Sequence, residues 1–212
     1  MERDAALDLV ASVLETVIED RMPVPVREVW VYGDIALGLD PVDRVDIYLT
    51  KDLLLGEAEE READSFGVDG IGATVRADWA DAHPEYVRAN ENGYAAPERC
   101  LGAHLLDGVD APVHLEVCNA GFEDNVTQRL QGALARETYT EIIDPRGVCL
   151  WQDGTSSEDA MEKLRGGELV FPTLPEALQM LGMDAEAAEA AATTLRERRA
   201  EAAGTSVRGD VV

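Results

Sequence analysis

Lysine is almost absent from this sequence of 212 residues. Only Lys51 and Lys163 are lysines among 18 basic residues, and 43 acidic residues bring the formal net charge to -25. In molar salt the Debye length is about 3 Å, so a carboxylate-rich surface repels itself little and stays hydrated. The composition therefore predicts a protein of a halophilic cytoplasm. The alternative is an acidic mesophilic protein that avoids nucleic acid.

Long apolar runs are also lacking, and cysteines are few. Because no stretch of about 18 apolar residues occurs, we expect no membrane span. The first 15 residues carry charges within their apolar pattern and lack the layout of a signal peptide, so we expect a cytoplasmic location. Cys100, Cys118 and Cys149 are odd in number and form no CxxC pair, which indicates free thiols in a reducing compartment and no zinc site.

What the sequence does contain is the pattern of an α/β fold. Apolar residues recur at helical spacing from Leu7 to Val17, which predicts an amphipathic helix over residues 3–21. The apolar runs Val29–Tyr32 and Val45–Thr50 predict two strands separated by a turn rich in glycine. We therefore expect a mixed sheet with flanking helices.

In a later segment, PVHLEVCN at residues 112–119, apolar and polar residues alternate. Side chains of a strand point alternately to its two faces, so the apolar and the polar residues of this segment fall on opposite faces. The apolar face comprises Val113, Leu115 and Val117, and the other face carries His114, Glu116 and Cys118. The segment is either a strand that presents a functional carboxylate, Glu116, or a strand with a polar face and no chemistry.

The order helix, strand, glycine, glycine and strand carboxylate is similar to the nucleotidyltransferase superfold. In that resemblance Gly33 and Gly38 match the two glycines of the family's turn, and Asp46 matches the second of two alternating carboxylates. The resemblance implies a nucleotidyltransferase-like mixed sheet, with Gly33, Asp34 and Gly38 as candidate nucleotide-binding residues. The chain as a whole also resembles an uncharacterised protein family of halophilic archaea.

Two positions depart from the family pattern. Asp34 stands where the family has serine, and Arg44 stands where it has the first carboxylate. Nucleotidyl transfer uses Mg²⁺ ions that are held by carboxylates, so Asp46 and Glu116 are the candidate catalytic residues and metal ligands. An arginine at position 44 replaces an anionic ligand with a permanent cation, which is expected to pair with Asp46. Asp43 cannot substitute, because i and i+3 do not share a strand face.

The C-terminal part has a different composition. We expect an α/β domain over residues 1–170, a helical extension with two helices over 171–204, and a flexible tail over 205–212. Arg196, Arg198 and Arg199 form the densest basic patch, which is too short to indicate a nucleic-acid site and is expected to be a solvated helix face. The charged run Glu57–Asp64 is expected to be a solvated helical face or a loop.

Three functional hypotheses follow. The first is a degenerate, non-catalytic nucleotidyltransferase-like protein with a regulatory role or with a nucleotide or partner to bind, and it requires no cofactor. The second is an active, metal-dependent nucleotidyltransferase that uses Mg²⁺ at Asp46, Glu116 and one further carboxylate that the sequence does not identify. The third is a structural or regulatory protein that binds a protein partner through its C-terminal helical hairpin. The arginine at position 44 favours the first hypothesis over the second.

Overall fold

The computed structural model describes residues 1–55, 65–201 and 204–209. Over this part of the chain it has an α/β fold, with seven helices around a six-stranded mixed sheet. The helices are α1 (Arg3–Glu19), α2 (Ala77–Ala82), α3 (Pro97–Leu105), α4 (Phe122–Arg136), α5 (Glu158–Gly166), α6 (Leu174–Met180) and α7 (Ala185–Glu201). The strands are β1 (Val26–Tyr32), β2 (Val45–Lys51), β3 (Val113–Cys118), β4 (Gly147–Gln152), β5 (Thr155–Ser156) and β6 (Ser206–Gly209).

The expected fold class and the expected mixed sheet are confirmed. Strand order across the sheet is β5-β4-β1-β2-β3-β6. β1 runs antiparallel to both β2 and β4, whereas β2 and β3 are parallel and β3 and β6 are parallel. None of the described helices is long and apolar enough to cross a membrane. The charged run Glu57–Asp64 lies outside the described residues.

The two faces of the sheet differ sharply in chemistry. The odd-numbered residues of β2 from Val45 to Leu49 and those of β3 are apolar, and they form one large core with α1, α3 and α5. The even-numbered residues point the other way and include Asp46 on β2 and Glu116 on β3, both buried. Phe122 of α4 covers part of this second face and stacks on Trp30 with ring centroids 4.7 Å apart. The sheet therefore has one apolar face and one face that carries charged residues.

The two helices expected in the C-terminal extension are present as α6 and α7, which form a hairpin. Thr173 and Glu176 form a capping box at the start of α6. Asp184 caps α7, because its Oδ1 accepts from the Ala187 amide at 2.9 Å. The hairpin packs on α4 through small and apolar side chains, which include Leu130, Leu178 and Ala188. The hairpin thus lies on the side of the sheet that carries the charged residues.

The prediction of a flexible tail over 205–212 is wrong for Ser206–Gly209, which forms β6. This strand pairs in parallel with β3, and Leu115 lies opposite Val207. The edge of β3 would otherwise present unpaired N–H and C=O groups, and β6 satisfies them. Val207 also reaches α3, where a Cβ built on Gly102 would lie only 2.7 Å from its Cγ2. Residues 210–212 lie outside the described residues.

This packing gives a test of the last strand. Replacing glycine by alanine inside a helix usually stabilises a protein by about 0.5–1 kcal/mol. We expect Gly102→Ala to destabilise this protein instead, because the new methyl group collides with Val207. In a Val207→Ala background the collision is removed and Gly102→Ala should become stabilising. Urea unfolding at constant KCl concentration measures both effects. Equal stabilisation in the two backgrounds would show that β6 does not lie on α3.

Candidate functional site

The two candidate carboxylates lie on neighbouring strands and face the same side of the sheet. In the parallel pairing of β2 and β3, Asp46 lies opposite His114, and Tyr48 lies opposite Glu116. The exposed fraction is 0% for Asp46 and 2% for Glu116. Burying an ionised carboxylate is costly unless cations or hydrogen-bond donors compensate for the lost water. The site is therefore defined by what surrounds these two acids.

Two arginines hold Asp46. Arg44 Nε donates to Asp46 Oδ1 at 2.8 Å, which confirms the predicted ion pair between these two residues. Arg199 Nη2 donates to Asp46 Oδ2 at 2.7 Å, and this contact joins positions 153 residues apart. Burial raises the pKa of Asp46, while the charges of Arg199 and Arg44 oppose that rise. Both carboxylate oxygens of Asp46 are thus engaged by guanidinium groups.

Gly33 and Asp34 are part of the same arrangement. Gly33 has a φ of +69°, and a Cβ at this position would lie 2.6 Å from Asp46 Oδ2 and 2.8 Å from Arg199 Nη2. Glycine is required there because the guanidinium passes directly over the backbone. Asp34 Oδ1 lies 3.1 Å from Arg199 Nη2, and Asp34 Oδ2 accepts from the Asp43 amide at 3.0 Å. Arg199 therefore lies between two carboxylates.

The turn after β1 uses its backbone internally. The amides of Leu37, Gly38 and Leu39 donate to carbonyl groups within the same turn. Gly38 has a φ of +74° and has no atom within 4 Å of a built Cβ, so its role is conformational. A nucleotide role for Gly33, Asp34 and Gly38 stays a prediction. These contacts account for the three residues as supports of the turn and of Arg199.

Glu116 is surrounded in a different way. Its Oε1 accepts from Arg129 Nη2, and its Oε2 lies 3.3 Å from His114 Nε2. Although burial opposes ionisation, the hydrogen bond from His114 and the charge of Arg129 hold the pKa of Glu116 below its usual value. His114 Nδ1 lies 2.8 Å from Ser206 Oγ, so β6 completes this set of contacts. Arg208, also on β6, places its Nε 3.8 Å from Glu116 Oε1.

A pocket of about 570 Å³ opens over these groups, between the sheet, α4 and α7. Its apolar wall includes Leu37, Leu39, Ile142 and Leu195. Three carboxylates, Asp34, Glu116 and Asp144, lie among the lining residues. Seven arginines line it: Arg44, Arg129, Arg146, Arg196, Arg198, Arg199 and Arg208. We call this site the arginine pocket.

The residues of this pocket do not fit Mg²⁺ as a resident ion. Magnesium needs oxygen ligands with free lone pairs at 2.0–2.1 Å in near-octahedral geometry. Arginine nitrogens already occupy the ligand positions on Asp46 at 2.6 to 2.8 Å. In the described part of the chain, no group of three His, Cys, Asp or Glu side chains is placed to hold a metal ion.

A family model covers almost the whole chain, from residue 2 to residue 212. The chain belongs to family DUF7095. That family is described as one of unknown function. No curated protein and no solved structure matches the chain.

The sequence identified the acids of the site and one of their cations. Arg199 belongs to the basic patch that was expected to be a solvated helix face, and its side chain is only 25% exposed. That expectation is wrong for Arg199, whereas Arg196 and Arg198 are exposed. Arg129 and Arg208 gave no signal in the sequence. One lies in an amphipathic helix and the other lies in a segment expected to be flexible.

The contact between Arg199 and Asp46 predicts a large loss of stability when it is broken. We expect Arg199→Met to lower the free energy of unfolding by about 2–3 kcal/mol, because a buried carboxylate loses one of its two cations. The loss should be smaller when Asp46→Asn is already present. Unfolding in urea at constant KCl concentration measures these losses in the free energy of unfolding. Urea is used because guanidinium chloride would change the ionic strength. Arg198→Met, on the same helical turn, is the matched control and should change stability by less than about 0.5 kcal/mol. Equal losses for the two variants would contradict this account.

Proposed function

We propose that this protein is a degenerate, non-catalytic nucleotidyltransferase-like protein that has a regulatory, ligand-binding role in a halophilic cytoplasm. The observation that carries this proposal is the state of the two acids on the sheet. Arg44 and Arg199 engage both oxygens of Asp46, and Arg129 and His114 engage those of Glu116. A scaffold that places two acids side by side has had both of them neutralised by cations and donors of the same chain.

The strand arrangement supports the nucleotidyltransferase-like part of the proposal. β2 lies between β1, which precedes the glycine turn, and β3, which carries the second acid. Asp46 and Glu116 lie on adjacent parallel strands and on the same face of the sheet, and Glu116 lines the arginine pocket. This is the layout that the resemblance implies for the carboxylates of the family.

The charges argue against the active-enzyme alternative. Two-metal transfer stabilises the attacking and leaving oxygens with two cations about 4 Å apart, which several free carboxylates must hold. Here the position of the first carboxylate is Arg44, and a second cation, Arg199, lies on the same acid. Metal entry would require both guanidinium groups to leave a fully buried carboxylate. Removing one partner of a buried ion pair typically costs about 3–5 kcal/mol of stability.

The partner-binding alternative receives less support from the hairpin. The inner face of α7 is buried on α4 and α6 through Ala188, Ala191 and Ala192. Large apolar side chains exposed in the described hairpin lie at its turn, where Met180 is 78% and Leu181 is 41% exposed. The hairpin therefore acts as a wall of the arginine pocket rather than as a projecting contact surface.

The proposal is tested by measuring nucleotidyl transfer directly. The protein is incubated at molar KCl with each nucleoside triphosphate and Mg²⁺ or Mn²⁺, and pyrophosphate release is followed. We expect no release above the protein-free reaction, because the metal ligands are occupied by arginines.

Asp46→Asn is the matched control, since the substitution keeps the shape of the side chain and removes its charge. Circular dichroism shows whether the variant is folded under the assay conditions. Metal-dependent release by the wild-type protein that disappears in folded Asp46→Asn would establish an active nucleotidyltransferase and overturn the proposal.

A further inference from the structure

The arginine pocket is positive although the protein as a whole is strongly negative. The formal net charge of the chain is -25, yet the pocket is lined by seven arginines and only three carboxylates. Asp46 and Glu141 also accept hydrogen bonds from pocket arginines, and counting them still leaves an excess of two positive charges. Cations concentrated in one concave site of an acidic protein favour an anionic ligand.

Most of these arginines are held by acids that line the pocket or lie beside it. Arg146 forms a two-pronged contact with Asp144, at 2.9 Å from Nε and 2.7 Å from Nη2. Arg208 donates to Glu141, and Arg129 donates to Glu116. These guanidinium groups have little freedom to move, so their positive charges are held in fixed positions. A ligand that binds to them loses little free energy to reorganisation of the protein.

Arg196 and Arg198 are different. Both are exposed on the last turns of α7, and among the described residues neither makes a hydrogen bond or an ion pair within 4 Å. The charge of Arg198 helps to lower the pKa of Glu141, but the hydrogen bond from Arg208 is the larger cause. In addition, Nε of Arg199 is buried and has no acceptor within the described part of the chain. At one side the pocket thus presents guanidinium donors that no acceptor in the described part of the chain engages.

We propose that the arginine pocket binds an organic di- or triphosphate without a divalent metal, and that Arg196 and Arg198 contact its phosphates. This inference names the ligand class of the proposed function and rests on it. Guanidinium groups bind phosphate oxygens through two parallel hydrogen bonds, which supplies strength and direction together. The apolar wall with Leu37, Leu39 and Leu195 receives the organic part. A volume of about 570 Å³ is sufficient for a molecule of nucleotide size.

Salt explains why arginine is the suitable cation. At molar salt, attraction between charges that are more than about 3 Å apart is screened, so long-range attraction contributes little. Short, two-pronged hydrogen bonds inside a partly buried pocket are screened much less. The pocket contains seven arginines and no lysine. The simpler explanation, that Arg196 and Arg198 only complement the carbonyl end of α7, predicts no ligand.

The test is calorimetric titration at fixed molar KCl in the presence of EDTA. The probes are adenosine and guanosine triphosphates, adenosine monophosphate and inorganic triphosphate. We expect the triphosphates to bind without metal, and Arg196→Gln/Arg198→Gln to weaken that binding at least about tenfold. The unfolding transition of the double variant should be unchanged. Arg136→Gln is the matched control, because Arg136 is an exposed arginine in the last turn of α4 and lies outside the pocket lining.

The outcomes separate this inference from the proposed function. Nucleoside triphosphates that bind more tightly than inorganic triphosphate support the complete inference, including the apolar wall. If nucleoside triphosphates and inorganic triphosphate bind with equal affinity, the claim that the apolar wall receives an organic group is overturned. If no probe binds in EDTA or with metal, or if the double variant and Arg136→Gln bind as the wild type does, the pocket assignment is overturned while the non-catalytic proposal stands. Binding that requires Mg²⁺ and disappears in Asp46→Asn would overturn both.

Discussion

The structure depends on the ion pair between Arg199 and Asp46. Asp46 is fully buried at the centre of the sheet, and a carboxylate in that position requires cations close to it. Arg44 supplies one of them from the position just before β2, and Arg199 supplies the other from the last turn of α7. Because α7 is held by this contact, the chain that leaves it is positioned to add β6 to the edge of β3. One buried charge thereby links the centre of the sheet to the C-terminal segment.

The pKa values of the two acids of the site are shifted in opposite directions, although the acids lie on adjacent strands. Burial is the largest single influence on both acids. It raises the pKa of Asp46, whereas at Glu116 the hydrogen bond from His114 and the charge of Arg129 together outweigh burial and lower the pKa. Above both acids the pocket has more arginines than carboxylates. A site whose acids are internally neutralised and whose rim is cationic is suited to holding an anion. It is poorly suited to holding the metal ions that nucleotidyl transfer requires.

The sequence predicted those features of the site that depend on neighbouring residues. Alternation within PVHLEVCN placed Glu116 on the face opposite Leu115, and the spacing of Arg44 and Asp46 predicted their ion pair. The partnership of Arg199 was not predictable, because it joins positions 153 residues apart and depends on how the hairpin packs. β6 was missed for a related reason. Its four residues, SVRG, lack a pattern of their own, and the free edge of β3 together with Gly102 determines their conformation. Gly33 was noticed as a turn glycine, whereas its close approach to Arg199 became evident only in three dimensions.

The central claim is that arginines, not metal ions, neutralise the acids of this site. It is tested most directly by a crystal structure of the wild-type protein grown at high MnCl₂ concentration, with anomalous scattering measured to locate manganese. The account predicts guanidinium groups of Arg44 and Arg199 in contact with Asp46, Arg129 in contact with Glu116, and no anomalous peak between the two acids. A manganese ion bound to Asp46 and Glu116, with the arginines displaced, would contradict it.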